Sequence, residues 1–363
     1  MVETIHAVIG ANFGDEGKGA VTARLSLSPK TLNVLTNGGT QRAHTVVYNG
    51  IRHVFQHFGS GTLCGADTYC DKTFIVNPMQ FVKEYKELFS KGIVPKVYIN
   101  PLCRFSTPFD MMTNQIQTVG LLNTCGMGIW ETVHRYMVFK ELTVKEFFDL
   151  DFYQKTSELL RIRRYLESDR ISYKLDSSSR WYDVWNDSYL IEHFIQDCDF
   201  MKNHISFNLN IDDYDNVVLE NGQGLLLTDN GYNDCNRTPS NTGSKAVYST
   251  LNSLGLLNNK VVIHYVTRPY LTRHGGNNLH VVDKEHISRD IKDDETNIYN
   301  EHQGDLKYGY LNPYELLDRI NEDFLEINIP NAEYIVDITH SDEMFLDLKN
   351  CKCIHWDSPD VRS

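Results

Sequence analysis

No apolar run in the sequence approaches the roughly 20 residues that a membrane-crossing helix needs, so its 363 residues do not read as a helical membrane protein. Positive charge is also scarce. Lys plus Arg number 35 against 48 Asp plus Glu, a formal charge of −13, whereas a protein that wraps duplex nucleic acid needs a broad basic face. The eight cysteines, Cys64, Cys70, Cys103, Cys125, Cys198, Cys235, Cys351 and Cys353, make no paired C-x-x-C spacing. That argues against a zinc framework and leaves most of them as small buried apolar groups. The opening Met1-Val-Glu-Thr-Ile-His6 lacks the basic region, apolar run and cleavage site of a secretory signal. The expectation is a cytoplasmic protein with neither membrane nor nucleic acid as partner. Internal repeats and long low-complexity linkers are missing too, so no clean domain boundary shows.

What is present looks globular, with 41% hydrophobic and 23% charged residues. Short β-branched runs at 5–9, 32–35, 97–99, 217–219, 261–266 and 334–338 stop at small or polar residues and predict buried strands. Helical patterns, such as those over 79–89 and 316–324, lie between them. The alternation predicts an α/β fold with a largely parallel central sheet flanked by helices. The stretch 144–208 is aromatic, charged and mostly helical in pattern, and is expected to be an insertion or subdomain of a single domain over 1–363. Parallel sheets bind ligands beyond the carboxyl ends of their strands. The segments there, 10–19, 36–45, 220–224 and 267–276, are rich in small and polar residues and predict one site built from four distant loops.

The first of these segments carries the clearest chemistry. Gly10-Ala-Asn-Phe-Gly14-Asp15-Glu16-Gly17-Lys18-Gly19 precedes a helix-compatible Ala20-Val-Thr-Ala-Arg-Leu25. Glycines let backbone N–H groups approach phosphate oxygens, Lys18 supplies a point charge, and the helix presents its positive end. The pattern is a variant of the phosphate loop G-x-x-x-x-G-K-S/T, because Asn12 stands where the first Gly belongs and Gly19 replaces the magnesium-binding hydroxyl. Two carboxylates inside an anion cradle call for a magnesium ion or a base beside a transferred phosphoryl group.

Gly14-Asp-Glu-Gly-Lys-Gly19 resembles the signature of the adenylosuccinate synthetase family, and five further blocks follow in the family's order. Gly38-Gly-Thr-Gln-Arg-Ala-His44-Thr45 is similar to GGxNAGHT, and Asn123-Thr-Cys-Gly-Met-Gly-Ile129 to TTGRGIG. Glu220-Asn-Gly-Gln223-Gly-Leu-Leu-Leu227 is similar to EGAQGTLLD, Thr238-Pro-Ser-Asn-Thr242 to TSSNT, and Tyr265-Val-Thr-Arg268 to YSTR. The resemblance implies transfer of a γ-phosphoryl group to the 6-oxygen of a purine monophosphate, followed by displacement of phosphate by the amine of L-aspartate. Asp15 matches the base that removes the N1 proton and ligates Mg2+, with Ala43 as a further metal contact. His44 matches the residue that hydrogen-bonds the γ-phosphate, and Gln223 the one that donates to O6 where charge develops. Triphosphate binding falls to Asn12, Phe13, Gly14, Glu16, Gly17, Lys18, Gly19, Thr45, Ser358 and Pro359. Monophosphate binding falls to Gln41, Thr124, Cys125, Gln223, Leu227, Thr238 and Arg268, and aspartate binding to Lys307 and Arg273. The family resemblance also implies a homodimer, in which Arg135 or Lys140 would reach the partner's monophosphate.

Three departures bear on substrate choice. The family's guanine-reading TKLD segment is expected at Tyr334-Ile-Val-Asp-Ile-Thr-His340, where no Lys-x-Asp occurs. An unpaired buried donor costs about 1 to 3 kcal/mol, so its loss predicts ATP rather than GTP as phosphoryl donor. At Asn300-Glu-His-Gln-Gly-Asp-Leu-Lys-Tyr-Gly309 the family's arginine cluster, which contacts aspartate and the ribose 2′-hydroxyl, is reduced to Lys307. In the acceptor block, Gln41 and Arg42 replace consecutive Asn and Ala. Together these resemble the bacteriophage branch of the family, which implies dGMP, L-aspartate and ATP as substrates, 2-aminoadenine DNA as the destination and the host cytoplasm as location. The alternatives are IMP with GTP, and a catalytically silent nucleotide-binding module.

Overall fold

A computed structural model describes residues 2–121, 124–138, 141–171, 175, 180–229, 237–276, 278–293, 298–349, 351–357 and 361. Eight strands form one sheet in the order Cys353–Trp356, Ala332–Thr339, Val261–Thr267, Thr4–Gly10, Asn216–Gly224, Thr31–Leu35, Asp67–Cys70 and Val97–Ile99. Every neighbouring pair is parallel. All six expected strands are present. The two unforeseen ones, Asp67–Cys70 and Cys353–Trp356, are four residues each and mix polar with apolar side chains, too short a run to show a period.

Strand Asn216–Gly224 runs through the segment expected to be a loop. Its register against the first strand shifts between Val8 and Gly10, so that Gly10 pairs with Gly224, and Gln223 takes φ 57° there. An extra residue turned out of the ladder is how a strand end re-aims a side chain.

Alternation sorts the two faces. Ile5, Ala7 and Ile9 point with Leu219, Ile263 and Val336 toward Leu316 and Ile320 of helix Pro313–Ile327. Val8, Val218 and Val266 point the other way, against Val21 of helix Lys18–Leu25. Each such side chain fully buried is worth about 1.5 to 3 kcal/mol relative to exposure. The second face also carries a row of polar groups under that helix. Trp356 Nε1 donates to Asp337 Oδ1 at 2.7 Å, His264 Nδ1 meets Asp337 Oδ2 at 2.7 Å, and His6 Nδ1 meets His264 Nε2 at 3.0 Å.

Residues 144–203 are helical over Val144–Phe148, Phe152–Leu166, Tyr182–Asn186 and Ser188–Asn203. Thr143 with Glu146, and Asp151 with Gln154, make capping boxes that start the first two. Their apolar faces, Phe147, Phe148 and the fully buried Trp185 among them, share one core with Phe58, Phe81 and Phe109. The expected loop at 177–179 lies outside the described residues. Among the described residues no helix is long and apolar enough to cross a membrane. Of the described cysteines Cys70, Cys103 and Cys198 are buried and the other four partly so.

Candidate active site

A cleft of about 520 Å³ opens beyond the carboxyl ends of the central strands. Its walls include 13–20, 41–45, Gln223, Leu227, Arg268 and His274, together with Lys292, Asp293, Gln303, Thr339, His340, Asp342, Glu343 and Asp357. All four expected segments reach the lining, 220–224 through Gln223 at the end of its strand.

The loop after the first strand is shaped by left-handed residues: Gly14 at φ 112°, Asp15 at φ 59° and Gly17 at φ 88°. Glycine adopts this conformation freely, but Asp15 is held there at a cost of about 1 to 3 kcal/mol. Thr272 Oγ1 donates to Gly14 O at 3.2 Å and Arg268 Nε to Asp15 O at 2.6 Å, which fixes the turn from outside. Burial raises the Asp15 carboxyl above its ordinary range, against the pull of His274, Arg268 and Lys18. A raised carboxyl is better matched to proton abstraction near neutrality than an ordinary one.

Lys18 corrects the expectation of a solvated point charge. It is 3% exposed, and its Nζ donates to Glu16 Oε2 at 3.1 Å. The other oxygen of Glu16 accepts from the amides of Asn12 and Gly14, both at 2.9 Å. The cradle therefore closes on the chain's own carboxylate, which is the explanation for an acidic residue inside an anion-binding loop. A phosphate entering there replaces one anion by another.

Glu220, which sequence reasoning left without a role, is the partner of His44. Its buried carboxylate is hydrogen-bonded to His44 Nδ1 and to the amide and hydroxyl of Ser60. Burial alone would raise Glu220, but His44, Arg42 and Ser60 override it and hold the carboxyl at about 2. Burial pulls the imidazole down to about 4 against the opposing effect of Glu220. The pair is thus an ionised carboxylate and a neutral imidazole with Nδ1–H fixed, leaving Nε2 toward the cleft. The only advance signal was Glu220 heading one of the loop segments.

Gln223 lines the cleft, and its Oε1 is buried without a partner. Gln41 lines it too, and donates from Nε2 to Thr238 Oγ1 at 2.8 Å. Phe13, Gly14, Gly17, Gly19, Ala43, Thr45, Leu227 and Arg268 also lie on the lining. Asn12 sits behind the loop with Nδ2 on Thr267 Oγ1 at 2.9 Å. Thr124 and Cys125 are not brought to the lining. Thr124 Oγ1 donates to Asn114 Oδ1 at 2.7 Å, and burial pushes the Cys125 thiol up to about 11. Arg273 and Lys307 are not themselves on the lining but face each other across a two-stranded ribbon beside it; Arg273 lies 4.7 Å over the Phe13 ring and Lys307 Nζ donates to Gly276 O at 2.6 Å. Ser358, Pro359 and Lys140 fall outside the described residues.

Two expectations are corrected. Arg135 is fully buried, with Nε on Asp110 Oδ1 at 3.0 Å, Nη1 on Glu141 Oε2 at 2.6 Å and Nη2 on Phe105 O at 3.0 Å. A guanidinium spent on two internal carboxylates is not presented to a partner subunit. Asp337 is likewise no base reader, being buried inside its strand against His264 and Trp356. The strand ends at Thr339, and the first carboxylate beyond it on the cleft is Asp342, paired with Lys292. Thr339-His-Ser-Asp342 keeps the Thr-x-x-Asp spacing of TKLD, and the acidic reader taken as lost has a candidate after all.

Residues 7–312 match the sequence model of the adenylosuccinate synthetase family. Similar curated proteins include the adenylosuccinate synthetases of Borrelia duttonii, 30% identical over 34% of this chain and 30% of that protein, and of Mannheimia succiniciproducens, 27% identical over 74% of this chain and 62% of that protein. The chain thus matches under two thirds of the length of each. Among solved structures, the fully ligated adenylosuccinate synthetase of Plasmodium falciparum has a TM-score of 0.73 at 17% identity, covering 99% of this chain and 84% of its own. The succinoaminodeoxyadenylate synthetase of cyanophage S-2L, solved with dGMP and dATP, has a TM-score of 0.63 at 10% identity, covering 100% and 95%. At such identities the structural likeness is one of fold.

Proposed function

Because the chain belongs to the adenylosuccinate synthetase family, we propose that it is a carbon–nitrogen ligase, joining L-aspartate to C6 of dGMP while ATP becomes ADP and phosphate. The product is N6-succino-2-amino-2′-deoxyadenylate. The observation that carries the reaction class is the convergence of Asp15, Gln223 and the His44–Glu220 pair on one cleft beside an amide cradle.

In this reading Asp15 takes the N1 proton, and O6 attacks the γ-phosphorus while the bond to the β-phosphate breaks. Gln223 faces the developing charge on O6, and His44 Nε2 faces the phosphoryl group. The amine of aspartate then adds at C6, and the C6–O bond breaks with phosphate as leaving group, a far better one than a bare oxygen. Mg2+ takes one or two protein oxygens and completes its shell with phosphates and water. The Asp15 carboxylate and the Ala43 carbonyl, both on the lining, fit that demand, and the ion would neutralise phosphate charge.

The reduced cation count at 300–309 and the dGMP and dATP bound by the cyanophage fold neighbour support the deoxyguanylate and adenine choices. A second reading, IMP with GTP, is favoured by Asp342, because a carboxylate at the cleft can accept from the two adjacent donors of guanine. Mass spectrometry of products from aspartate with each pairing of dGMP or IMP with ATP or GTP decides between them. A succinylated product from dGMP and ATP is expected. Product from IMP and GTP alone would replace the first reading by the second, and no phosphate release in any pairing would remove both.

A further inference from the structure

Arg42 stands where the family block has alanine, and the structure gives it an unusual setting. It is 2% exposed, its guanidinium carbon lies 5.1 Å from the Phe74 ring centroid, and its Nη2 donates to Asn37 O at 3.0 Å. Nε and Nη1 are buried without a partner. Taking a cation out of water with two donors unspent is costly; its charge helps to hold the Glu220 carboxyl low, and the rest of its contribution lies in what it holds in place.

The bond from Arg42 to Asn37 closes the turn 37–42, which passes through Gly38 at φ 68°. Asn37 Oδ1 accepts from Gly222 N at 2.7 Å, which fastens that turn to the next strand end. Gly222 is the second exchange, alanine in the family block EGAQG and glycine here. A Cβ at 222 would sit 3.4 Å from Nη2 and 3.8 Å from Nε of Arg42, ordinary contact distances, so the guanidinium packs directly beside the 222 turn. Above the turn, a Cβ at Gly38 would lie 3.1 Å from Gln223 Oε1 and 3.2 Å from Gln41 Nε2. The turn is therefore the floor on which the two cleft amides converge.

We propose that Arg42 is a positioning residue that ties the 37–42 turn to the 222–223 turn, and so sets Gln41 and Gln223 against the purine monophosphate. It rests on the ligase reading for the identity of that ligand. Lys18 and Glu16 lie on another loop, whereas Ala43, His44 and Thr45 follow Arg42 directly on the lining, so the tie bears on the phosphoryl side through them. A 1 Å misplacement of such groups can cost on the order of 10²-fold in rate.

The test compares Arg42→Ala with Arg42→Lys, whose ammonium keeps the charge beside Glu220 and a donor that ends one bond short of Nη2. In phosphate-release assays Arg42→Ala is expected to lose about tenfold or more in kcat. Arg42→Lys is expected to recover kcat to within about threefold. Calorimetric titration with dGMP or IMP should show weaker binding to Arg42→Ala than to wild type. Wild-type kcat in Arg42→Ala, or a loss in folded Arg42→Lys as large as in Arg42→Ala, overturns the proposal. Should Arg42→Ala fail to fold, Arg42→Lys alone decides: a folded protein with a tenfold loss overturns it. A wild type that binds the monophosphate yet releases no phosphate sinks the ligase reading instead, and the binding comparison still tests Arg42.

Discussion

Among the described residues two buried histidine–carboxylate pairs are hydrogen-bonded through Nδ1, His44 with Glu220 and His264 with Asp337. They differ in what the rest of each pair faces. His44 stands at a strand end with Nε2 toward the cleft. His264 lies within the sheet, its Nε2 taken up by His6 and its carboxylate shared with Trp356. One pair is open to a ligand and the other is closed on both sides by the chain. A histidine beside a carboxylate thus becomes chemical equipment only where one ring nitrogen is left over.

Substitutions can break that contrast or sharpen it. Asp15→Asn sets the scale, since it removes the base next to the open pair; kcat for phosphate release should fall about 10² to 10⁴-fold. Glu220→Gln keeps the shape but no longer holds the imidazole as an ion, and kcat should fall about 10 to 100-fold. The matching change in the closed pair, Asp337→Asn, should leave kcat within about twofold while lowering stability by about 1 to 3 kcal/mol in urea unfolding. Equal kinetic losses from Glu220→Gln and Asp337→Asn would erase the distinction.

Lys18→Met tests the cradle. Removing Nζ leaves Glu16 with its two amides only, so KM for the triphosphate should rise about tenfold and stability should drop by about 1 to 3 kcal/mol. Unchanged stability would show the Glu16 pair to be loose.

The smallest effect is in the closed row. Burial, with the charge of His264, lowers His6 from 6.5 to about 4 in the folded chain. The unfolded chain then binds the extra proton between those values, so stability is complete above pH 6.5 and is lost as pH falls toward 4. His6→Asn should flatten this slope, at most about 1.4 kcal/mol per pH unit, in thermal melts recorded across that range.

Much of this was legible in advance where local pattern and final position coincide. Buried β-branched runs announced six strands, and glycine spacing announced the left-handed turns of the loop after the first strand. The reading failed where a side chain's partner is distant in sequence or where a strand end is offset. Nothing near Lys18 says that Glu16 folds back on the amides of Asn12 and Gly14. His44, the first residue of strand His44–Tyr48, meets Glu220 in the middle of strand Asn216–Gly224, a contact between residues 176 apart in the chain. The acidic reader looked lost because no Lys-x-Asp occurs within 334–340; the strand runs one residue past the expected 338, to Thr339, and Asp342 lies on the cleft just beyond it.

The sheet also has two rims, and both are short. At one, Val97–Ile99 offers three residues, and Ser206 already covers them, accepting from the Ile99 amide at 3.0 Å and donating to Val97 O at 2.9 Å. At the other, the four residues of Cys353–Trp356 cover the eight-residue strand Ala332–Thr339. That short strip shields a longer row whose Val336 and Ile338 are wholly buried. Trimming the chain before Cys353 would bare a sticky edge with unpaired amides, the kind of surface along which chains add to one another into aggregates.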